Sequence, residues 1–397
     1  MAKNLDQKIE EVLNRGVEEI VPSKEGLKEL MKSKKIRLYL GVDPTSPKIH
    51  LGHIIPIKKL MQFQNLGHEA VLLFGTFTAQ VGDPSGRDEA RKALSAEQVK
   101  NNMETYREQV SKFLDLSGVQ IRHNGDWLQK LTFSDLVKIT SNFTVSRLLE
   151  RDMFQKRLKE KKEVWVNEFL YPLMQGYDSV AMNVDLEIGA TDQTFNMLVG
   201  RKLQRIFNKK EKFILTTPLL LGLDGRKMSK SYNNTVNITD SPDEIYGKIM
   251  SLADSLIIHY LELVTDIPLE DIRKIKKDLS SRKVNPRDVK AMLAREVINI
   301  ISGEKAAEAA EKGFDTVFRQ KKTPSKITET KIEKTSINIL ELLVQTVLVS
   351  SKSEAKRAIL QKGVKIDGLI QDDWKKTIKI RKREIVQIGK RRFVKII

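Results

Sequence analysis

Cysteine is absent from all 397 residues. This excludes disulfides and thiolate metal sites and fits a reducing, cytoplasmic compartment. Histidine is scarce: the five are His50, His53, His68, His123 and His259. None stands in an H-E-x-x-H arrangement, so no metal held by the protein itself is expected. No apolar run reaches the ~20 residues of a membrane-spanning helix, so no membrane association is expected. Met1–Leu13 mixes charged and apolar residues and has no signal-peptide core. Neither G-x-x-x-x-G-K-[ST] nor G-x-G-x-x-G occurs. That disfavours a P-loop ATPase and a dinucleotide-dependent dehydrogenase. Internal repeats are also lacking.

What the chain has in excess is positive charge, formally +18. Between Thr335 and Ile397 there are 15 Lys and Arg against 6 Asp and Glu. Half of the net charge thus falls in the last sixth of the sequence. A uniform lysine bias does not concentrate charge in this way, whereas a basic module that meets phosphates does. A hydrophobic fraction of 40% is enough for real cores, and the length suggests two or three domains.

The apolar segment Ile36–Val42 reads as a buried strand ending at Asp43-Pro44-Thr45-Ser46-Pro47. Helical spacing follows over His50–Leu66, then a second strand over Ala70–Phe77 and a loop at Gly82–Gly86. Further strands are predicted at Val119–Arg122, Val184–Ile188 and Phe213–Thr217. Between them lie a mostly helical stretch, Phe133–Ser179, and a helix from Thr191 to Ile206. Continuous apolar strands alternating with helices predict a Rossmann-like, doubly wound parallel sheet. We place this α/β catalytic domain at 1–238, with a helical insertion near 120–180. Ser241-Pro242-Asp243-Glu244 has the form of a capped helix start. From there an α-helical domain is predicted over 239–320, interrupted at Pro268 and Pro286. A polar linker over 321–334 and a small α+β basic domain over 335–397 complete the chain.

Two motifs carry chemistry. His50-Leu51-Gly52-His53 opens the first predicted helix. A helix N-terminus offers free N–H groups and the positive end of the dipole, which suits phosphate. Gly52 lets a nucleotide approach the backbone. His50 and His53 share a helix face, and each can donate to an α-phosphate as its charge grows in the transition state. The alternative is two polar histidines at an ordinary helix start. The second motif is Lys227-Met228-Ser229-Lys230-Ser231, behind Gly222-Leu223-Asp224-Gly225-Arg226. Two lysines on a mobile loop can follow pyrophosphate as it leaves. The alternative is a solvated loop in a lysine-rich chain. The two motifs in this order around an α/β domain are far more specific than either alone.

Through these two motifs the sequence resembles the class I aminoacyl-tRNA synthetases, whose signatures are H-I-G-H and K-M-S-K-S. Leu51 replaces the usual isoleucine. Four further blocks resemble the bacterial-type tyrosyl-tRNA synthetase family: Tyr39–Thr45, Gly82–Arg87, Tyr171–Asp178 and Ile188–Gln193. The similarity runs through essentially the whole chain. The nearest alternative, a tryptophanyl relative, shares the fold and both signatures. The Tyr39/Asp178 pair and the basic tail argue for tyrosine. An H-x-G-H nucleotidyltransferase would need neither the RNA-binding tail nor this lysine loop. The intact motifs argue against a catalytically silent RNA-binding protein.

The resemblance implies a role for each matching residue. Tyr39 and Asp178 hydrogen-bond the substrate phenol. Asp83, Tyr171 and Gln175 hold its ammonium, and Gln193 lies near its carboxyl end. Gly41, Asp43, Gly52 and Asp192 meet ATP or the adenylate, with Asp192 on the ribose. Thr45, His50 and His53 act on phosphate, Lys227 and Lys230 on pyrophosphate, and Ser231 on ATP. Arg87 and Arg91 match basic positions of a phosphate-side loop, and Glu187 stands where some relatives have glutamine. Read singly, Asp83 before Pro84 is a turn starter, Asp178 a helix-end charge and Tyr177 a core aromatic. The resemblance further implies ATP as substrate with Mg2+, tRNA and L-tyrosine as partners, and a homodimer formed through the insertion. Leu148, Met153, Phe154 and Leu158 are candidates for that interface or for the core. The tail resembles a small RNA-binding domain. In it Ser351, Ser353, Lys352, Lys356, Arg357 and Lys362 gather on and after a helix with a capping-box start.

Overall fold

Short apolar runs in the first half of the chain assemble into one six-stranded sheet. The computed structural model describes residues 2–85, 93–111, 116–226, 228, 232, 234–318, 328–381, 383–389 and 392–397. The strands are β1 (Glu19–Val21), β2 (Arg37–Val42), β3 (Glu69–Phe74), β4 (Gln120–His123), β5 (Leu186–Ala190) and β6 (Phe213–Thr217). Their order across the sheet is β1-β6-β5-β2-β3-β4. β2 to β6 are parallel, and β1 lies antiparallel on the β6 edge. β3, β5 and β6 are buried along nearly their whole length, as helices on both faces of a parallel sheet require. The expected doubly wound α/β fold is therefore the observed one.

Three helices flank the strands that carry the site. Leu51–Asn65 links β2 to β3. Val166–Met182 precedes β5 and ends at Asn183, which adopts left-handed φ (+48°). This cap delays β5 to Leu186, two residues after its predicted start. Thr194–Asn208 links β5 to β6, and its predicted first turn is instead a 3-10 turn, Thr191–Gln193. Within the insertion, helices Phe133–Thr140, Val145–Leu149 and Asp152–Lys159 run in succession. Leu148 and Phe154 belong to the core, with the Phe154 ring 5.0 Å from that of Phe169. Met153 is half-buried, and only Leu158 of the four candidates is exposed.

The chain divides into two compact units. One is Met1–Ser241 with Lys248–Glu304, and the other is Pro242–Gly247 with Lys305–Ile397. In the first, helices Ile257–Val264, Leu269–Ser280 and Pro286–Ser302 follow the sheet. Pro268 and Asn285 stand at the N-caps of the last two. The Asn285 side chain accepts from the Arg287 N–H at 3.0 Å. The second unit has strands β7 (Thr328–Thr330), β8 (Ser336–Asn338), β9 (Val364–Ile366), β10 (Leu369–Gln371), β11 (Thr377–Lys379), β12 (Ile385–Ile388) and β13 (Arg392–Ile396). β10-β9-β12-β13-β7 form one sheet and β11-β8 a second. Helices Ile339–Gln345 and Lys352–Leu360 share a core with them, built on Ile339, Leu342, Ile359, Val364 and Val386. Ser351 caps the second helix by accepting from the Glu354 N–H. The Glu354 carboxylate reaches back to the Ser350 N–H rather than to Ser351. Asp367-Gly368, both at positive φ, make the tight turn between β9 and β10.

Candidate active site

The chain runs from β2 to β3 and β4 on one side of the sheet, then returns to β5 and β6 on the other. The switch point lies between β2 and β5, where open α/β sheets bind ligands beyond the carboxyl ends of their strands. A cavity of ≈ 350 Å³ opens there, within the range of ~300–1,000 Å³ for small-molecule sites. It brings together Tyr39, Gly41, Asp43 and Thr45 from β2 and the turn after it with His50, Gly52 and His53. It also gathers Asp83, Tyr171, Gln175, Asp178, Asp192 and Gln193.

Tyr39 and Asp178 form the deep end, and both are buried. The Asp178 carboxylate accepts from Trp127 Nε1 at 2.8 Å and from Asn124 Nδ2 at 3.2 Å. Burial pushes its proton affinity well above the usual carboxylate range, and these two donors oppose the shift. The Tyr39 hydroxyl lies 3.0 Å from Ser179 Oγ, and burial raises the Tyr39 phenol well above its ordinary value. Beneath it Lys212 and Glu187 form an ion pair that is sealed from solvent.

A second group of polar side chains lines the middle. Asp83 uses one oxygen to accept from the Ser85 N–H at 2.9 Å, the turn expected of an Asp-Pro pair. The other oxygen accepts from Gln193 Nε2 at 2.7 Å. Gln175 donates to Glu187 Oε1 at 3.0 Å and accepts from Asn196 Nδ2 at 3.0 Å. Tyr171 donates to Asp43 Oδ2 at 2.9 Å, and Thr78 donates to Asp43 Oδ1 at 2.7 Å. Burial and then the neighbouring Asp43 raise the Tyr171 phenol well above its ordinary value.

At the mouth, His50 occupies the N-cap position of Leu51–Asn65, and its N–H donates to His53 Nδ1 at 3.2 Å. The two rings are 3.9 Å apart. A Cβ on Gly52 would sit 3.1 Å from the His50 ring. The glycine thus makes room for that ring as well as for an approaching ligand. The segment just beyond the lysine motif pairs with the start of the histidine motif. Leu51 N–H donates to Val236 O at 3.0 Å, and Ile238 N–H donates to Ile49 O at 3.1 Å. Two segments remote in sequence are joined through the backbone beside one cavity.

The family model for class I tRNA synthetases of the W and Y group matches residues 31–319. A tyrosine–tRNA ligase of Thermotoga maritima is 45% identical over 386 residues, covering 97% of this chain and 96% of the relative. One from Carboxydothermus hydrogenoformans is 46% identical over 398 residues, covering 98% and 97%. The chain belongs to the bacterial-type tyrosyl-tRNA synthetases. A C-terminally truncated mitochondrial tyrosyl-tRNA synthetase of Coccidioides posadasii superimposes with a TM-score of 0.63 at 25% identity, over 78% of this chain and 91% of that one. The Archaeoglobus fulgidus tyrosyl-tRNA synthetase, solved with L-tyrosine, gives 0.61 at 23% identity, over 77% and 99%, and supports the fold.

As a tyrosyl-tRNA synthetase this enzyme is a ligase with ATP as a substrate. Of the positions singled out from sequence, Arg87, Arg91, Lys227, Lys230 and Ser231 lie outside the described residues. Met228, between the two lysines, is described and lines the cavity. Sequence reasoning overlooked Asn124 and Trp127, which hold Asp178, and Asn196, which bridges Gln175 and Gln193. It also overlooked Ser179 and Lys212. No local motif marks these five. Lys212 stands in the run Lys209-Lys210-Glu211-Lys212, which reads as solvated charge.

Proposed function

We propose that the synthetase activates L-tyrosine by in-line attack of the tyrosine carboxylate on the α-phosphorus of ATP. Pyrophosphate leaves, and the 3′-terminal adenosine of the cognate tRNA then takes up the tyrosyl group. No side chain forms a covalent intermediate. Rate enhancement comes from positioning and from donors aimed at developing charge. In this reading Tyr39 and Asp178 grip the phenol, while Asp83, Tyr171 and Gln175 take the ammonium. Gln193 lies by the carboxyl end, and Gly41, Asp43 and Asp192 meet the adenylate. Thr45, His50 and His53 stabilise the α-phosphate as its charge grows. Lys227 and Lys230 follow the pyrophosphate, with Arg87 and Arg91 on the same side, and Ser231 meets ATP. Mg2+ arrives with the ATP phosphates rather than in a protein cage.

The observation that carries this reading is that one cavity holds a buried polar end at Tyr39 and Asp178 and, in the same lining, the pair His50 and His53. Amino-acid-dependent ATP–pyrophosphate exchange tests it. Exchange is expected with tyrosine, far more weakly with phenylalanine, and not with tryptophan. Exchange driven by tryptophan would overturn the substrate assignment.

Three further parts of the proposal concern assembly. The helical segment 239–320 is the anticodon-side domain, and 335–397, after the linker 321–334, is the RNA-binding domain. Ser351, Lys352, Ser353, Lys356, Arg357 and Lys362 are exposed on and beside the Lys352–Leu360 helix, as contact with phosphates requires. The insertion forms the interface of a homodimer. Phe133 (81% exposed), Val166 (76%), Val145 (66%) and Trp165 (54%) all lie there, and a second subunit seated on them would take them out of water. The enzyme works in the cytoplasm. Among the described residues no helix is long and apolar enough to cross a membrane.

A further inference from the structure

From the wall of the phenol slot, where Tyr39 and Glu187 line the cavity, a buried polar chain runs inward. Lys212 Nζ donates to the Glu187 carboxylate and, at 2.8 Å, to Ser179 Oγ. Glu187 Oε1 is occupied by the amide of Gln175. Ser179 Oγ lies 3.0 Å from the Tyr39 hydroxyl but 3.5 Å from Glu187 Oε2. The Lys212 ammonium is also 6.0 Å from the centre of the Tyr39 ring. Ser179, Glu187, Lys212 and Tyr39 are all essentially inaccessible to solvent. The packing leaves no slack: a Cβ on Gly200 would meet Lys212 Nζ at 2.5 Å and Ser179 Oγ at 2.9 Å.

The direction of each hydrogen bond follows from the donor inventory. An ammonium has no lone pair, so Lys212 must donate to Ser179. At the other end, Asp178 accepts the phenolic proton of the substrate. The phenolic oxygen then needs a donor, and Tyr39 is the group beside it. Tyr39 has one proton, so once that proton points at the substrate its own oxygen is left to accept. The hydroxyl of Ser179 is within reach to donate to it.

We propose that Ser179, held by the Lys212–Glu187 pair, is a positioning residue for tyrosine selection. It donates its proton to Tyr39 and thereby turns the Tyr39 proton toward the substrate phenol. The inference rests on the reading that Tyr39 and Asp178 grip that phenol. The polarity runs from Lys212 through Ser179 and Tyr39 to the substrate and ends on Asp178. Phenylalanine breaks it, because a buried donor and a buried acceptor both lose their partner.

The test is a double-mutant cycle on the ratio of kcat/KM for tyrosine to that for phenylalanine in pyrophosphate exchange. Ser179→Ala is expected to lower the ratio by about 5–10-fold, the worth of one neutral hydrogen bond, with the KM for ATP unchanged. In a Tyr39→Phe background it is expected to lower the ratio no further, because its effect passes through the Tyr39 hydroxyl. A general loosening of the core would not show that coupling. Ser179→Cys, which keeps the volume and has a weak donor, serves if Ser179→Ala does not fold, with the same coupling expected. Equal losses in both backgrounds would overturn the proposal. So would no loss with Ser179→Ala while Tyr39→Phe lowers the ratio, and in that case the reading of the slot survives. If Tyr39→Phe leaves the ratio unchanged, the reading of the slot itself fails and this inference falls with it.

Discussion

Asp178 sits in an environment that burial makes hostile to charge, yet two donors, Trp127 and Asn124, converge on its oxygens. Such a carboxylate is a strong acceptor with a fixed direction. Asp178→Asn removes the charge and turns an amide N–H2 toward one of those donors. A hydrogen bond to a charged group contributes ~1.5–3 kcal/mol. The expected outcome is a fall of about 10–100-fold in kcat/KM for tyrosine, with little change in the KM for ATP. Steady-state exchange at saturating ATP checks this, and an unchanged kcat/KM for tyrosine would contradict it. That Asp178 shares a cavity with Tyr171 and Gln175 was legible in the sequence through their common block. Its support was not. Asn124 and Trp127 come from the far side of β4, and nothing near them in sequence says where they point.

Among the elements, Lys59 on the Leu51–Asn65 helix shows how a buried charge ties segments together. Its ammonium donates to Val12 O and Arg15 O, each at 2.6 Å, closing the end of the helix Ala2–Asn14. Burial brings its pKa down to about 7. The unfolded chain holds this proton up to about 10.4. Between these values unfolding takes up a proton, so raising the pH favours the folded form, and the penalty of the buried charge is fully present below pH 7. Lys59→Met is expected to cost about 1–3 kcal/mol through the two carbonyls left unpaired. It should also lose the gain in stability that the parent protein shows from pH 7 to pH 10. Urea melts at several pH values measure both, and parallel pH profiles would refute the second. Buried strands were the most readable elements. β6 has the predicted bounds, because five successive buried residues leave few alternatives. β1 escaped notice because it is a three-residue edge strand, half-exposed and without an apolar run. Leu148 and Phe154 lie on helices whose inward face sequence periodicity does not identify, and the Phe169 ring and the buried Arg157–Glu168 pair decide it.

For the whole molecule, charge distribution and the convergence of distant segments are the features that matter. The basic tail is expected to add tRNA affinity without touching adenylate chemistry. Replacing Lys352, Lys356, Arg357 and Lys362 together by alanine should leave pyrophosphate exchange intact and weaken tRNA binding. The slope of log affinity against log salt should flatten by ~0.7–0.9 for each phosphate that is no longer neutralised. An unchanged slope would exclude those residues from the RNA interface. The net excess of charge in the tail was visible from composition alone. The joining of Ile49–Leu51 to Val236–Ile238 was not, because backbone pairing between remote loops leaves no periodic trace.

The central claim is that one cavity holds the reaction intermediate from end to end, and a crystal structure with a non-hydrolysable tyrosyl-adenylate analogue tests it most directly. The phenolic oxygen is expected within about 3.2 Å of both the Tyr39 hydroxyl and the Asp178 carboxylate, with the group replacing the α-phosphate beside His50 and His53. An analogue bound in the reverse sense, or with its phosphate mimic away from the two histidines, would contradict it.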